Sequence, residues 1–299
     1  MDSISQAALG AAVGMAVMGR RTALWKSALW GAVCGTLPDL DALIDHGDPV
    51  SNMTYHRAES HALFWLTLAA PPLAAVIARL HGEIVQWRRW WLAVWLVLVT
   101  HPLLDAMTVY GTQLLLPFTD RPYGLGSIFI IDPLYTVPLL IGVWVALRRA
   151  DARGLAWNRA GLLASCAYLA WTAAAQAWVR ADVEHALQAD GISAQQILVT
   201  PAPFNSLLWR VVAVAPGDRF LEGFRSLLDG DRPLRLDAFD RGNSLLPEFA
   251  NQWHVQRMVW FTGGFYKLQR ADGGVVITDL RMGQEPGYVF SFLVPSAQG

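Results

Sequence analysis

Cysteine is nearly absent. Cys34 and Cys166 are the only two in 299 residues, both within apolar stretches, so neither a disulfide framework nor a cysteine-based zinc motif can be built from them. They read as small core residues. Charge is scarce as well: 16% of residues are charged and the net charge is −1, which gives no general reason to expect nucleic acid as a partner, since such binding needs concentrated basic surface. No basic run precedes the first apolar stretch, and Arg20, Arg21 and Lys26 follow it instead, a poor fit to a signal peptide. There is no clear inverted repeat of the kind on which many secondary transporters are built.

What the chain has in quantity is apolar residues. They make up 54% of the sequence, and the mean hydropathy of +0.32 is far from that of an average soluble protein. The enrichment is uneven. Residues 1–178 are dominated by Ala, Leu, Val and Trp, whereas 179–299 read like a soluble domain. The expected architecture is a multi-pass α-helical membrane domain of about six apolar segments over 1–178, followed by a smaller α+β extramembrane domain over 179–299.

The first segment, 4–18, is short and rich in small residues, which suits a close-packed or re-entrant helix. Five more follow at roughly 23–44, 61–80, 90–110, 131–149 and 159–178, each near the length of about 20 residues that spans a bilayer. Alternate turns carry Arg20, Arg21, Lys26, Arg79, Arg88, Arg89, Arg148, Arg149, Arg153 and Arg159, against only Arg57 and Arg121 in the others. Positive charge accumulates on the cytoplasmic side, so the loops at 45–60 and 111–130, and with them the C-terminal domain, are expected on the opposite face of a bacterial inner membrane.

In the C-terminal domain the periodicity predicts a helix over 180–192 and another over 245–259, with strands at 207–214, 219–228, 264–270, 275–280 and 288–294. Ala271-Asp272-Gly273-Gly274 is a hairpin signal. No catalytic motif is visible there. The domain reads either as a stabilising module or as a cap over a site at the outer surface.

Ionisable side chains concentrate in GTLPDLDALIDHGDPVSNMTYHRAESH at 35–61 and again in THPLLD at 100–105. His101 and Asp105, four apart, share one face of a helix. Counted from the basic inner boundary at 1.5 Å per residue, Asp39, Asp41, His101 and Asp105 all lie roughly 18–24 Å up, and His61 about 27 Å. Singly, each histidine is most simply a satisfied core residue, and Asp-x-Asp after proline a polar helix end. Asp45, His46 and Asp48 read as a solvated loop. A shared depth within apolar segments is different, because buried ionisable groups are costly and need partners. A divalent metal compensates several carboxylates at once while neutral imidazoles fill the remaining positions.

The motifs GTLPDLDAL at 35–43, HRAESHAL at 56–63, HPLLDAMTVYGTQLLLPF at 101–118 and IIDPLYTVPLL at 130–140 resemble those of the membrane-bound metal-dependent hydrolases related to the bacterial inner-membrane proteins YdjM and YbcI. FNSLLWRVVAV at 204–214 and DLRMGQEPGYVFSF at 279–292 extend the resemblance. Ala58, Ser60 and Ala62 stand where the family pattern carries Gly, Thr and Ser.

Residues and resemblance together lead to an expected site. Asp39, His56, His61, His101 and Asp105 are candidate metal ligands, with Asp41 a ligand or bridge. Glu59 or Asp132 is the candidate general base, and Arg57 a candidate phosphate or oxyanion partner. The donor mixture suits zinc, or else manganese, better than calcium. The expected activity is metal-assisted hydrolysis of a membrane lipid phosphoester or ester. The alternatives from other classes are a cation-binding transporter and a structural metal-binding membrane protein.

Overall fold

The structure is a computed structural model and describes residues 1–296. It divides into two compact units. One comprises Met1–Ile44, His56–Leu125 and Phe129–Trp171; the other comprises Asp45–Tyr55, Gly126–Ile128 and Thr172 onward.

The first unit is helical. Its helices are α1 (Ser3–Met18), α2 (Leu24–Thr36), α4 (Leu63–Leu80), α5 (Trp87–Ala106), α6 (Pro133–Arg149) and the first half of α7 (Ala152–Ala189). Every apolar segment foreseen in the sequence is therefore helical, but among the described residues only α4 and α7 are long and apolar enough to cross a membrane, not six. Length accounts for most of the difference. Helices α1, α2 and α6 have 16, 13 and 17 residues, or about 24, 20 and 26 Å at 1.5 Å per residue, short of a hydrocarbon core about 30 Å thick. Helix α5 has 20 residues but contains Arg88 and Arg89 near one end and Asp105 near the other. The segment foreseen at 23–44 stops at Thr36, and a 3₁₀ turn follows over Pro38–Leu43. Pro38 has no amide hydrogen with which to continue the helical ladder, so Asp39 and Asp41 sit on a turn rather than a helix.

Small residues allow α1 and α2 to meet backbone to backbone. A Cβ on Gly31 would lie 2.2 Å from the Gly10 carbonyl oxygen, and one on Gly10 would lie 2.1 Å from the Gly31 oxygen. Only glycine fits at such a crossing. The apolar core of this unit is built from Met18, Ile77, Trp90 and Leu98. Beside it, Glu83 ties helix ends together, accepting from Lys26 Nζ at 2.7 Å, Thr22 Oγ1 at 2.8 Å and Trp90 Nε1 at 3.0 Å.

In the second unit the C-terminal half of α7 packs Ala175, Val179, Val183 and Leu187 against Val199, Trp209, Val211 and Ala213 of a sheet. The four-apart spacing places these helix residues on one stripe. The sheet is antiparallel in the order β1 (Gln196–Pro201), β2 (Leu208–Ala215), β3 (Arg219–Ser226), β4 (Leu236–Asp240). After α8 (Leu246–Phe249) and α9 (Trp253–Phe261) come β5 (Tyr266–Ala271), β6 (Gly274–Asp279), the two-residue strands β7 (Gly283–Gln284) and β8 (Gly287–Tyr288), and β9 (Ser291–Pro295), with β5, β6 and β9 forming a three-stranded sheet. The helix foreseen over 245–259 is thus two helices, and the segments foreseen at 159–178 and 180–192 are one continuous helix. Strands β1 and β4 were not foreseen. β4 is short and carries Asp237 and Asp240, so it lacks an apolar alternation.

The stretch foreseen as a solvated loop, Asp45–Asp48, leads into helix α3 (Pro49–Tyr55). Asp48 caps this helix, accepting from the Val50 and Ser51 amides at 2.9 Å, with Pro49 at the first helical position where its missing donor does no harm. Arg257 of α9 donates to Thr54 Oγ1 at 3.0 Å, and its guanidinium lies over the rings of Tyr55 and Trp260 at 4.7 and 4.2 Å.

Burial opposes the charge of Glu83, but the bonds from Lys26, Thr22 and Trp90 outweigh it and hold its carboxyl below the ordinary glutamate range. A folded-state value below the unfolded one stabilises the fold above the ordinary glutamate pKa of about 4.3 and is lost as pH falls below it. Glu83→Gln is therefore expected to lower the melting temperature at pH 7 and to flatten its decline on acidification, as read by thermal unfolding of the detergent-purified protein across pH 3–7.

Candidate metal centre

Four side chains from three chain segments converge in the helical unit. Asp39 comes from the 3₁₀ turn after α2, His61 from a second 3₁₀ turn at Glu59–His61, and His101 and Asp105 from successive turns of α5. One donor atom from each lies within 4.8 Å of all the others. His61 Nε2 and His101 Nε2 face each other at 3.1 Å. Asp105 Oδ2 is 3.2 Å from the first nitrogen and 3.4 Å from the second, and Asp39 Oδ1 is 3.4 Å from both. His61, His101 and Asp105 are buried, whereas the Asp39 side chain is 18% exposed, so the cluster is open on that side.

The hydrogen bonds decide what these atoms present. His101 Nδ1 is 2.6 Å from the Gly35 carbonyl oxygen. A carbonyl only accepts, so Nδ1 carries the hydrogen and Nε2 of the neutral ring carries a lone pair. Ser60 Oγ donates to Asp41 Oδ2 at 2.5 Å and lies 2.8 Å from His61 Nδ1. With its own proton committed, that hydroxyl accepts from Nδ1, and His61 Nε2 is likewise a lone pair. Asp105 is asymmetric. Its Oδ1 meets the Gln6 amide at 3.1 Å, Arg57 Nη2 at 3.4 Å and the Met1 amino group, while Oδ2 accepts no hydrogen bond at all. Two imidazole lone pairs and two carboxylate oxygens are therefore aimed at one another in a buried space. Such an arrangement is repulsive unless a cation lies among them. A proton relieves one pair of donors; a divalent ion relieves all four. Two nitrogens and two oxygens form a donor set that zinc and manganese accept.

The other residues singled out in the sequence are not among the four converging side chains, although Asp41 Oδ2 lies 3.4 Å from His61 Nδ1. Asp41 is not among the converging atoms: its Oδ1 accepts from His56 Nδ1 at 2.8 Å, and its Oδ2 from Ser60 Oγ and from the Arg57 amide at 3.0 Å. His56 turns its Nδ1 to Asp41 and its ring edge toward Tyr110 and His61. Arg57 is buried, its guanidinium 4.9 Å over the Tyr110 ring and beside Asp105, and its Nε has no hydrogen-bond partner. Its backbone adopts φ +64°, a left-handed conformation that costs a side-chain-bearing residue roughly 1–2 kcal/mol. The amide bond to Asp41 and a bond from the Gln113 amide to the Arg57 carbonyl, at 3.0 Å, hold it there. Glu59 is exposed, two residues before His61. Asp132 is buried and caps α6, accepting from the Leu134 amide at 3.0 Å and from Tyr168 Oη at 2.8 Å.

Gln6 was missed. It is buried in α1 and bonds both Asp105 Oδ1 and the His101 carbonyl, each at 3.1 Å. The available signal was a lone amide within the otherwise apolar stretch at 4–18.

Residues 1–179 match the YdjM inner membrane protein family. The chain belongs to this family. All of the converging side chains fall within the matched region, and family membership together with two apolar helices indicates an inner-membrane protein. The chain is also similar to the uncharacterized protein YfhP of Bacillus subtilis (strain 168), at 25% identity over 158 residues, covering 49% of this chain and 47% of YfhP. The chain thus spans about half the length of that relative. No solved structure matches.

The geometry separates the converging donors from structural groups. His101→Ala is expected to weaken zinc binding by more than the roughly 10–100-fold typical of an outer partner, as read by competition with a chelating indicator. Asp132→Ala is expected to leave metal binding unchanged while destabilising the protein by about 1 kcal/mol through the lost cap.

Proposed function

We propose that the protein is a metal-dependent hydrolase of the inner membrane, acting on a lipid phosphoester or ester at the non-cytoplasmic surface. The observation that carries this reading is the set of four unprotected donors, His61 Nε2, His101 Nε2, Asp39 Oδ1 and Asp105 Oδ2, around a single space that opens beside Asp39. These residues would hold the ion. A divalent metal there supplies Lewis-acid polarisation of an ester or phosphoryl oxygen and lowers the pKa of water. A site built to tie helices together would be coordinatively closed, whereas a catalytic one keeps an open position; the exposed side of Asp39 favours the second.

The chain's own groups have separable roles. Arg57 compensates Asp105, and its partnerless Nε is a donor for a phosphoryl or carbonyl oxygen of the substrate. Glu59, exposed and next to the turn that carries His61, is the better placed of the two candidate bases, because the carboxylate of Asp132 is engaged with the start of α6 and with Tyr168.

A lipid substrate is supported by the surroundings. Leu40 and Leu43, which alternate with Asp39 and Asp41 along one turn, are 55% and 82% exposed, and Phe118, 79% exposed, packs edge-on against Phe64 at the start of α4. Apolar side chains bared beside a polar cluster suit acyl chains better than a water-soluble molecule. The charge bias of the turns supports a reading in which 45–60 and 111–130 lie outside the cytoplasm. Residues 45–55 and 126–128 belong to the same compact unit as the C-terminal sheets, which favours a multi-pass chain with that unit on the non-cytoplasmic side.

The test is hydrolysis of phospholipid phosphoesters and esters in mixed micelles. Activity is expected to be lost with a chelator, restored by zinc or manganese, and abolished in His61→Ala, with Glu59→Gln reduced but still metal-loaded. Metal uptake into sealed vesicles without any hydrolysis would show a transporter instead.

A further inference from the structure

The two imidazoles of the cluster present the same nitrogen, yet different devices set them. For His101 the device is a backbone carbonyl, that of Gly35, which the fold supplies without any side chain. For His61 it is a chain of side chains. Asp41 Oδ2 accepts a hydrogen bond from Ser60 Oγ at 2.5 Å, and the hydroxyl is thereby left as an acceptor for His61 Nδ1 at 2.8 Å. Without the carboxylate the hydroxyl is free to rotate and donate to Nδ1 instead. That would place the ring hydrogen on Nε2, pointing into the donor cluster.

Asp41 is also fully engaged. Its Oδ1 is held by His56 Nδ1, and its Oδ2 by Ser60 Oγ and the Arg57 amide. Asp105 Oδ2, by contrast, accepts nothing. Hydrogen bonds thus sort the carboxylates of the region into one with an oxygen left over for an ion and one without.

From this sorting we infer that Asp41 is a positioning residue rather than a ligand, and that the Asp41–Ser60 pair fixes the tautomer and orientation of His61 so that its Nε2 faces the ion. This rests on the metal-centre reading above. Outer partners of this kind raise the basicity of a ligating imidazole and hold its ring plane, and losing one typically weakens metal affinity 10–100-fold. The Asp41 carboxylate has a second consequence. By binding His56 and the amide of Arg57 it ties down the start of the segment that ends at His61, so the two 3₁₀ turns bearing Asp39 and His61 are joined through a single side chain.

The experiment uses the full chain purified in detergent, with zinc affinity measured by chelator competition and cobalt as a spectroscopic probe. Ser60→Ala removes the hydroxyl that joins Asp41 to His61 and leaves the bonds of Asp41 to His56 and the Arg57 amide in place, so thermal stability should be nearly unchanged. Zinc affinity is expected to fall about 10–100-fold, with the stoichiometry and the position and intensity of the cobalt visible bands as in the wild type, since no ligand is lost. Asp41→Asn is expected to behave alike, and Ser60→Thr, which keeps the hydroxyl, to restore wild-type affinity. Asp39→Ala is the contrast, with altered cobalt bands from a missing ligand. Wild-type affinity in Ser60→Ala would overturn the relay, and cobalt bands in Asp41→Asn that change as they do in Asp39→Ala would make Asp41 a ligand. If Asp41→Asn fails to fold, Ser60→Ala decides alone. A wild-type chain that takes up neither ion would overturn the metal centre itself, an outcome distinct from loss of the relay in a chain that does bind.

Discussion

Four lone-pair-bearing atoms pointed at one another inside a helical unit are the constraint around which the rest of this molecule is arranged. Burial removes most of the water that would otherwise separate them, and contacts on the far side of three of the groups remove the freedom to turn away. His101 is held by Gly35, His61 by Ser60, and Asp105 by Gln6 and Arg57. Repulsion among buried donors is costly in low dielectric, so the arrangement makes sense as the preorganised cage of a cation. The cost of assembling it is borne by packing elsewhere. The glycine crossing of α1 on α2 and the apolar core around Trp90 and Leu98 hold the helices that deliver these groups.

Arg57 joins the cage to its surroundings. Its guanidinium compensates Asp105 and rests on Tyr110, while its backbone occupies a left-handed conformation that glycine would adopt freely. Backbone strain held by surrounding hydrogen bonds is a feature of functional sites. Here it lets one residue give its amide to Asp41 and its side chain to Asp105, two carboxylates with different tasks. A glycine could relax the backbone but could not supply the charge.

The C-terminal unit is stabilised independently of this chemistry. Its apolar stripe on α7 packs against β1 and β2, and Arg210 pairs with Glu222 at 2.6 Å and Arg225 with Asp182 at 2.7 Å. It also includes α3, clasped by Arg257 of α9. The chain thus leaves the helical unit after Ile44 and returns at His56, between the two turns that carry Asp39 and His61. A segment of this kind needs its own packing, because its two ends adjoin the turns that carry Asp39 and His61.

Local sequence determined the helices, the ionisable motifs and most of the strands, because periodicity, proline and charge act over a few residues. The four-apart spacing of His101 and Asp105 on one helix face was legible for that reason, and the common depth of Asp39, His61 and His101 was legible because helical rise is constant. Tertiary structure decided the rest. Whether a carboxylate has an oxygen free for an ion depends on which donors arrive from other parts of the chain: Ser60 and His56 reach Asp41, Tyr168 reaches Asp132, and Asp105 Oδ2 accepts no hydrogen bond. The number of helices able to span a membrane changed because α1, α2 and α6 are short and α5 carries charge near both ends, and Gln6 went unnoticed because a single amide in an apolar helix acquires meaning only from what stands across from it. Hydrogen-bond saturation is a property of the assembled site, and sequence spacing carries no record of it.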